Sequence, residues 1–469
     1  MKMILAVLVV MLSLLVGACR PALPTPSQAP PSPTPAPSAA PSPTVLPTIH
    51  GAQIIVQVDP SLLLQVLHTV SGGNFIHNYS QMKAPLDPVS SYNLDHLPMQ
   101  QARVRISLEE WEPENDNVEP QNINWPAFKD EGNNHLAFLL MQELQKRGIQ
   151  IVATVWDIPA WMTPASTAKT NKFIPYNMYP EVVESIAAWL KYAQDKYAVN
   201  VAYISFNEPN VGVNVSLSAR EYIQMIKTAA PRLAGLGLST RWLLGDTSNF
   251  AGSVVYASTI WSEESIRPYL GPLAVHSWDS GVKDATLQDI AAFAQQAGLE
   301  VWCSEAGWDP FLYTRPDEFP TWNNAIRLAA VYSRMLKLAR VSVILYWEMM
   351  GNDYWLNDGT KTFPSFAVLE QLGRHLPKVS QVVWTSPDAG GVYSFAAFGG
   401  GNFVLYLVNN NPQPAVVQVN GLPGGSYTHL QSTEQEIGKI VGTMQAGSEP
   451  ALVTLPASSF NLFFSQAKP

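Results

Sequence analysis

Short apolar runs alternate eight times with helix-patterned stretches over about 300 residues, and this rhythm narrows the available folds more than any other feature. The runs are 69–76, 102–107 ("ARVRIS"), 149–156 ("IQIVATVW"), 201–207, 241–246 ("RWLLGD"), 272–277 ("PLAVHS"), 299–305 ("LEVWCSE") and 341–348 ("VSVILYWE"). Between them lie stretches such as "NNHLAFLLMQELQKRG" and "YPEVVESIAAWLKYAQDKY", whose apolar residues recur at helical spacing, with Gly148 and Gly298 where C-caps belong. Eight strand–helix units predict a (β/α)8 TIM barrel. A doubly wound sheet is the alternative, but so regular an alternation of eight favours closure, and neither a GxGxxG nor a Walker-type loop occurs.

After residue 378 the pattern changes. "GNFVLYLVNN", "PAVVQVNG", "SYTHLQ", "ALVTLP" and "FNLFFSQ" are short β-type runs separated by Gly, Asn and Pro turns. They predict a C-terminal antiparallel β-sandwich over 378–469, beside a barrel over 51–377. The early run "AQIIVQVD" (52–59) precedes the barrel strands and is free to pair with the sandwich.

Residues 1–18 read as a signal peptide, with Lys2 as the charged start, Met3–Leu15 as the apolar stretch and Gly17-Ala18 as the small residues before a cut. "LLVGAC" resembles the lipobox of bacterial lipoproteins, which implies cleavage before Cys19 and lipid on its sulfur. An ordinary signal peptide with an incidental cysteine is the plainer alternative. Residues 20–50 hold 11 prolines among Ser, Thr and Ala, so they suit a semi-rigid, polyproline-like spacer rather than a core. The expectation is an exported bacterial protein, lipid-anchored at the cell surface or on the periplasmic side of a membrane. No later stretch is long and apolar enough to span a bilayer.

A net charge of −9 leaves no basic footprint for nucleic acid. The two cysteines, Cys19 and Cys303, sit in regions with different fates, so neither a disulfide framework nor a Cys-rich metal site is expected. No HExxH, no GxSxG and no His/Cys cluster is present.

In such a barrel the chemistry belongs to the C-terminal tips of the strands. Those tips carry Arg105, Trp156, Asn207-Glu208, His276, Glu305 and Trp347. Pro209 cannot donate to a sheet ladder, so the fourth strand ends just as its carboxylate reaches the mouth. Alone, Asn-Glu-Pro would be a solvated turn; a second glutamate at the seventh tip changes that. Two carboxylates facing one cavity suit glycosidic bond cleavage, one protonating the leaving oxygen and the other attacking the anomeric carbon or activating water. Glu208 is assigned as acid/base and Glu305 as nucleophile. Arg105 is expected to keep Glu305 ionised, His276 to donate a hydrogen bond nearby, and Asn207 to bind the sugar 2-hydroxyl. Trp156 and Trp347 offer flat apolar rings to sugar faces. No cofactor and no metal are expected; the partners are a carbohydrate substrate and, through the anchor, a membrane.

"SFNEPN" on the fourth strand with "CSEAG" on the seventh resembles the 4/7 arrangement of clan A glycoside hydrolases, which implies a retaining mechanism. More narrowly, "VWDIPAWMT" (155–163), "SGGNF" (71–75), "SFAVLEQLGRHLP" (365–377) and "LPASSFNLFF" (455–464) are similar to segments of glycoside hydrolase family 30. The resemblance spans roughly residues 52–466 and implies β-linked glucan or xylan-type substrates. At the seventh tip Cys303-Ser304 precede Glu305 and Ala306 follows, where the family has a Thr-Glu pair and another residue type after it, so families 5 and 39 or a less familiar branch of the clan also fit. A non-catalytic, carbohydrate-binding surface lipoprotein is the alternative from another class.

Overall fold

The computed structural model describes residues 54–76, 86–164, 166, 170–350, 354–376 and 379–465. The signal segment, Cys19 and the proline-rich stretch lie outside the described residues.

Eight parallel strands close into a barrel in chain order: Thr69–Phe75, Gln101–Ser107, Gln150–Asp157, Val201–Phe206, Arg241–Thr247, Leu270–His276, Val301–Ala306 and Val341–Tyr346. Each matches an expected run within about two residues. They read as continuous apolar segments because each is covered twice, by the helices outside and by the other strands' side chains inside. The outer cover includes Gly132–Lys146, Tyr179–Tyr197, Ala219–Gly235, Asp284–Ala297, Trp322–Lys337 and Pro364–His375. Gly298 terminates its helix in the left-handed conformation with φ 69°. Among the described residues, no helix is long and apolar enough to cross a membrane.

The barrel interior is layered. Val152, Tyr203, Leu243, Ala274, Trp302, Val343 and Leu345 pack into an apolar floor. Above it lies a buried polar layer that includes Asn74, Arg103, Thr154, Ser205, Asp246, His276 and Ser304. The first strand approaches its neighbours so closely that only glycine fits twice in succession. A Cβ on Gly72 would sit 2.5 Å from Leu345 Cδ2 and 2.8 Å from the Gln101 carbonyl, and one on Gly73 would sit 2.1 Å from Met349 Cγ. This is the structural content of "SGGNF".

The β-rich side element is a nine-stranded sheet. Its strands run, in spatial order, Lys439–Ala446, Gly425–Ser432, Ser459–Ser465, Asn402–Asn409, Val392–Gly399, Ser380–Thr385, Ile54–Leu67, Ala415–Asn420 and Ala451–Leu455. Ile54–Leu67 is therefore an interior strand, antiparallel to Ser380–Thr385 but parallel to Ala415–Asn420, the one parallel pairing of the sheet among the described residues. Alternation along the strands divides the sheet's faces. Ala396, Leu405, Leu407 and Phe463 join a core internal to the side element, while Phe395, Ala397, Val404, Tyr406 and Phe460 join the barrel's core. Through that second face, barrel and sheet form one compact unit.

Candidate active site

The mouth of the barrel brings together residues from all eight strands or the positions just past them. Glu208 sits just past the fourth strand with φ 44°, in the left-handed region that side chains rarely adopt, and its backbone turns there into the Pro209 loop. Glu305 lies on the seventh strand beside a register irregularity between Cys303 and Glu305. Both glutamates are buried, at 7% and 3% exposure. One carboxylate oxygen from each, with a ring nitrogen of His276, lies within 4.8 Å of the others.

His276 connects the pair. Its Nδ1–H donates to Glu208 Oε1 at 2.9 Å and lies 3.2 Å from Glu305 Oε2, while Nε2–H donates to Asp246 Oδ1 at 3.2 Å. Burial disfavours a charged ring, but the charge on Glu305 and the hydrogen bonds to Asp246 and Glu208 outweigh it and hold the pKa up at about 10. His276 is therefore an imidazolium at neutral pH.

The cation on the nucleophile candidate is Arg103, not Arg105. Arg103 is fully buried and donates to Glu305 Oε1 (2.6 Å), Asp246 Oδ2 (2.8 Å), Asn207 Oδ1 (2.9 Å), Asn74 Oδ1 (3.1 Å) and Thr154 Oγ1 (3.2 Å). Arg105 instead pairs with Asp157, both one-fifth exposed. The two arginines share the inward face of one strand. Arg103 starts one inward position deeper and its long side chain reaches the level of the carboxylates, whereas Arg105 is already near the rim and is drawn aside by Asp157.

Glu305 accepts a second hydrogen bond, from Trp278 Nε1 at 3.1 Å. Burial pushes its carboxyl above the usual range, and the charges on His276 and Arg103 oppose that rise. Arg103 at one oxygen and the Trp278 indole at the other can only donate, so the hydrogen-bonding geometry fits the carboxylate form. Asp246 also accepts from Ser205 at 2.6 Å and from Ser304. Burial works against its charge, yet Arg103 and His276 hold it well below the usual carboxylate range.

Trp156 and Trp347 stack with centroids 5.7 Å apart and planes at 17°, and Trp278 meets Trp347 edge-on at 6.3 Å. These rings, Asn207 and both glutamates line a cleft of about 530 Å³ that continues past Val213, Ser248, Asn249, Pro310, Phe311, Tyr313 and Tyr354. Asn207 Nδ2 is buried there without a hydrogen-bond partner.

The tips thus bring together Trp156, Asn207, Glu208, His276, Glu305 and Trp347, and exclude Arg105. Sequence reasoning missed Arg103, Asp246 and Asn74. A buried-charge signal was available for Asp246, the acid that ends the apolar run "RWLLGD".

Solved structures with this fold include a glycoside hydrolase family 30 subfamily 8 xylanase from Clostridium acetobutylicum, at 17% identity and TM-score 0.68, covering 87% of this chain and 98% of that one. An endo-beta1,6-glucanase shares 14% identity at TM-score 0.59, over 87% of this chain and 93% of its own. A GH39 enzyme from Xanthomonas axonopodis pv. citri shares 12% identity at TM-score 0.59, over 89% and 98%. No protein-family model matches the chain, and no curated protein matches its sequence. At these identities the likeness establishes a shared fold, a (β/α)8 barrel with a β-rich side sheet.

Proposed function

We propose that this protein is a retaining O-glycoside hydrolase acting on β-linked glucan- or xylan-type saccharides. The observation that carries the reading is the buried Glu208/Glu305 pair, within 4.8 Å through their nearer oxygens and bridged by a protonated His276. Such closeness suits the roughly 5–5.5 Å retaining geometry rather than the roughly 6.5–9.5 Å that an inverting enzyme needs to admit a water. The activities named for the xylanase and the endo-glucanase of the same fold support the substrate class.

In the first step Glu305 attacks the anomeric carbon from the face opposite the leaving group. The C–O bond breaks as Glu208 gives its proton to the departing oxygen. In the second step Glu208 takes a proton from water, whose oxygen displaces Glu305 and releases the sugar with its configuration retained. Arg103 and Trp278 orient the attacking carboxylate. The unpaired Asn207 Nδ2 supports a donor role toward the sugar 2-hydroxyl, a bond that strengthens as positive charge develops at the anomeric carbon.

The test is hydrolysis of aryl β-glycosides, β-glucans and xylans, with the first-formed anomer followed by NMR. Retained configuration is expected; inverted product would sink the mechanism. Glu208→Gln should lower turnover by about 10²–10⁴-fold on polysaccharide and far less on a dinitrophenyl glycoside, whose leaving group needs no proton. An equal loss on both would remove the acid role from Glu208.

A lipid anchor at Cys19, with the proline-rich stretch as spacer, accords with a surface-held enzyme acting on polymers outside the cell. Labelled palmitate should enter the full-length protein in a bacterial host and be lost in Cys19→Ser. Label that survives the substitution would end the lipoprotein reading.

A further inference from the structure

From the loop after the seventh strand we infer a second sugar-binding position: Phe311 and Tyr313 form a platform for a further pyranose ring of gluco or xylo configuration, beyond the sugar whose bond is cut. The inference rests on the hydrolase reading and adds to it that the cleft takes a saccharide extending beyond the bond that is cut.

Three observations carry it. First, both rings line the same cleft as the carboxylates, yet they are 62% and 51% exposed. Large aromatic surface left open in a cleft marks a binding surface more often than a structural one. Second, the loop is braced, so the rings are presented rather than loose. Arg315 binds Asp309 and Glu318, each at 2.6 Å, and Asp309 Oδ1 accepts from the Phe311 backbone N–H at 2.8 Å. Tyr354 OH donates to the Asp309 carbonyl at 2.8 Å, and Leu312, between the two rings, is buried at 1% exposure. The buried leucine anchors the turn and leaves its aromatic neighbours outward. Third, Trp156, Trp278 and Trp347 pack against one another in this cleft, and Phe311 and Tyr313 add two further aromatic rings to its lining.

The choice of sugar follows from ring chemistry. A β-linked glucose or xylose unit carries its hydroxyls equatorially, so both faces present axial C–H groups, an apolar surface that matches the electron-rich face of an aromatic ring. An axial hydroxyl, as in galactose or mannose, would interrupt one of those faces.

The test uses Glu305→Gln, which binds without turnover, titrated calorimetrically with gluco- and xylo-configured di- and tetrasaccharides. A tetrasaccharide should bind more tightly than the disaccharide. Adding Phe311→Ala and Tyr313→Ala should remove about tenfold or more of the tetrasaccharide affinity, and Phe311→Tyr should keep it. The thermal midpoint should not move, because the removed rings are exposed. Undiminished tetrasaccharide affinity in the double alanine variant overturns the platform. Hydrolysis of small aryl β-glycosides by the parent, with no oligosaccharide binding to Glu305→Gln, also overturns it while leaving the hydrolase reading intact. Neither hydrolysis nor binding would overturn both.

Discussion

Glu305→Ala should abolish turnover of every substrate the parent cleaves, with kcat falling by roughly 10⁴-fold or more. The carboxylate lies at 3% exposure under two donors, Arg103 and Trp278, with the His276 charge 3.2 Å away, and these fix its direction of attack. Glu208, the other carboxylate of the pair, is bonded to His276 Nδ1 at 2.9 Å, whereas the carboxylate that Arg103 orients is Glu305. The truncated side chain leaves room for a small anion, which gives the test a sign. With an activated aryl β-glycoside, added azide should restore part of the rate, its nitrogen forming the new bond to the anomeric carbon as the phenolate leaves. The product is then a glycosyl azide of inverted configuration. Retention of more than a tenth of the parent rate would show that Glu305 does not form the intermediate. A parent that binds glycans but cleaves none on a broad panel would favour the silent surface binder.

Much of this site is legible in the chain because barrel strands are buried on both faces and end abruptly. "VAYISFNEP" shows the end of its strand through Pro209, and the glutamate beside it marks the mouth. The same logic located His276, Glu305 and Trp347. It failed where the strand departs from simple alternation or where side-chain length decides. Arg103 and Arg105 have the same periodicity, and only the reach of the side chain and the presence of Asp157 separate their roles. Asp246 lies in an irregularity between Gly245 and Thr247, with φ 100° at the glycine and 52° at the aspartate. A strict period of two from Leu243 in the barrel floor would turn Asp246 outward, and the irregularity turns it in. The side sheet was legible as β-rich but not in its order. The pairing of Ile54–Leu67 with Ser380–Thr385 spans more than 300 residues and leaves no local mark. "KIVGTMQA" (439–446), an exposed edge strand, lacks the apolar alternation that identifies a half-buried one.

Asp246→Asn is expected to be the most destabilising of the conservative changes at the site, at about 3–5 kcal/mol, although the amide nearly matches the carboxylate in shape. The aspartate is wholly buried and neutralises part of two buried cations at once, Arg103 through Oδ2 and His276 through Oδ1. Removing its charge leaves Glu305 as the only carboxylate bonded to the Arg103 guanidinium, and takes away the anionic acceptor of the His276 Nε2–H. The pH dependence separates this account from a simple loss of packing. Since the folded pKa of His276, about 10, lies above its ordinary 6.5, the folded protein keeps a proton that the unfolded chain has released in between. The stability from that proton is complete below about pH 6.5 and declines as the pH rises toward 10. In Asp246→Asn one of the groups holding the pKa up is gone, so the alkaline decline should finish at a lower pH. Turnover should fall with it, because an uncharged His276 no longer organises both glutamates. Denaturant unfolding of the parent and the variant across pH 6–10, with kcat measured in parallel, checks both parts. A cost below about 1 kcal/mol with an unchanged alkaline decline would mean that Asp246 is a passive buried polar group and that Glu208 and Glu305 alone set the charge of His276.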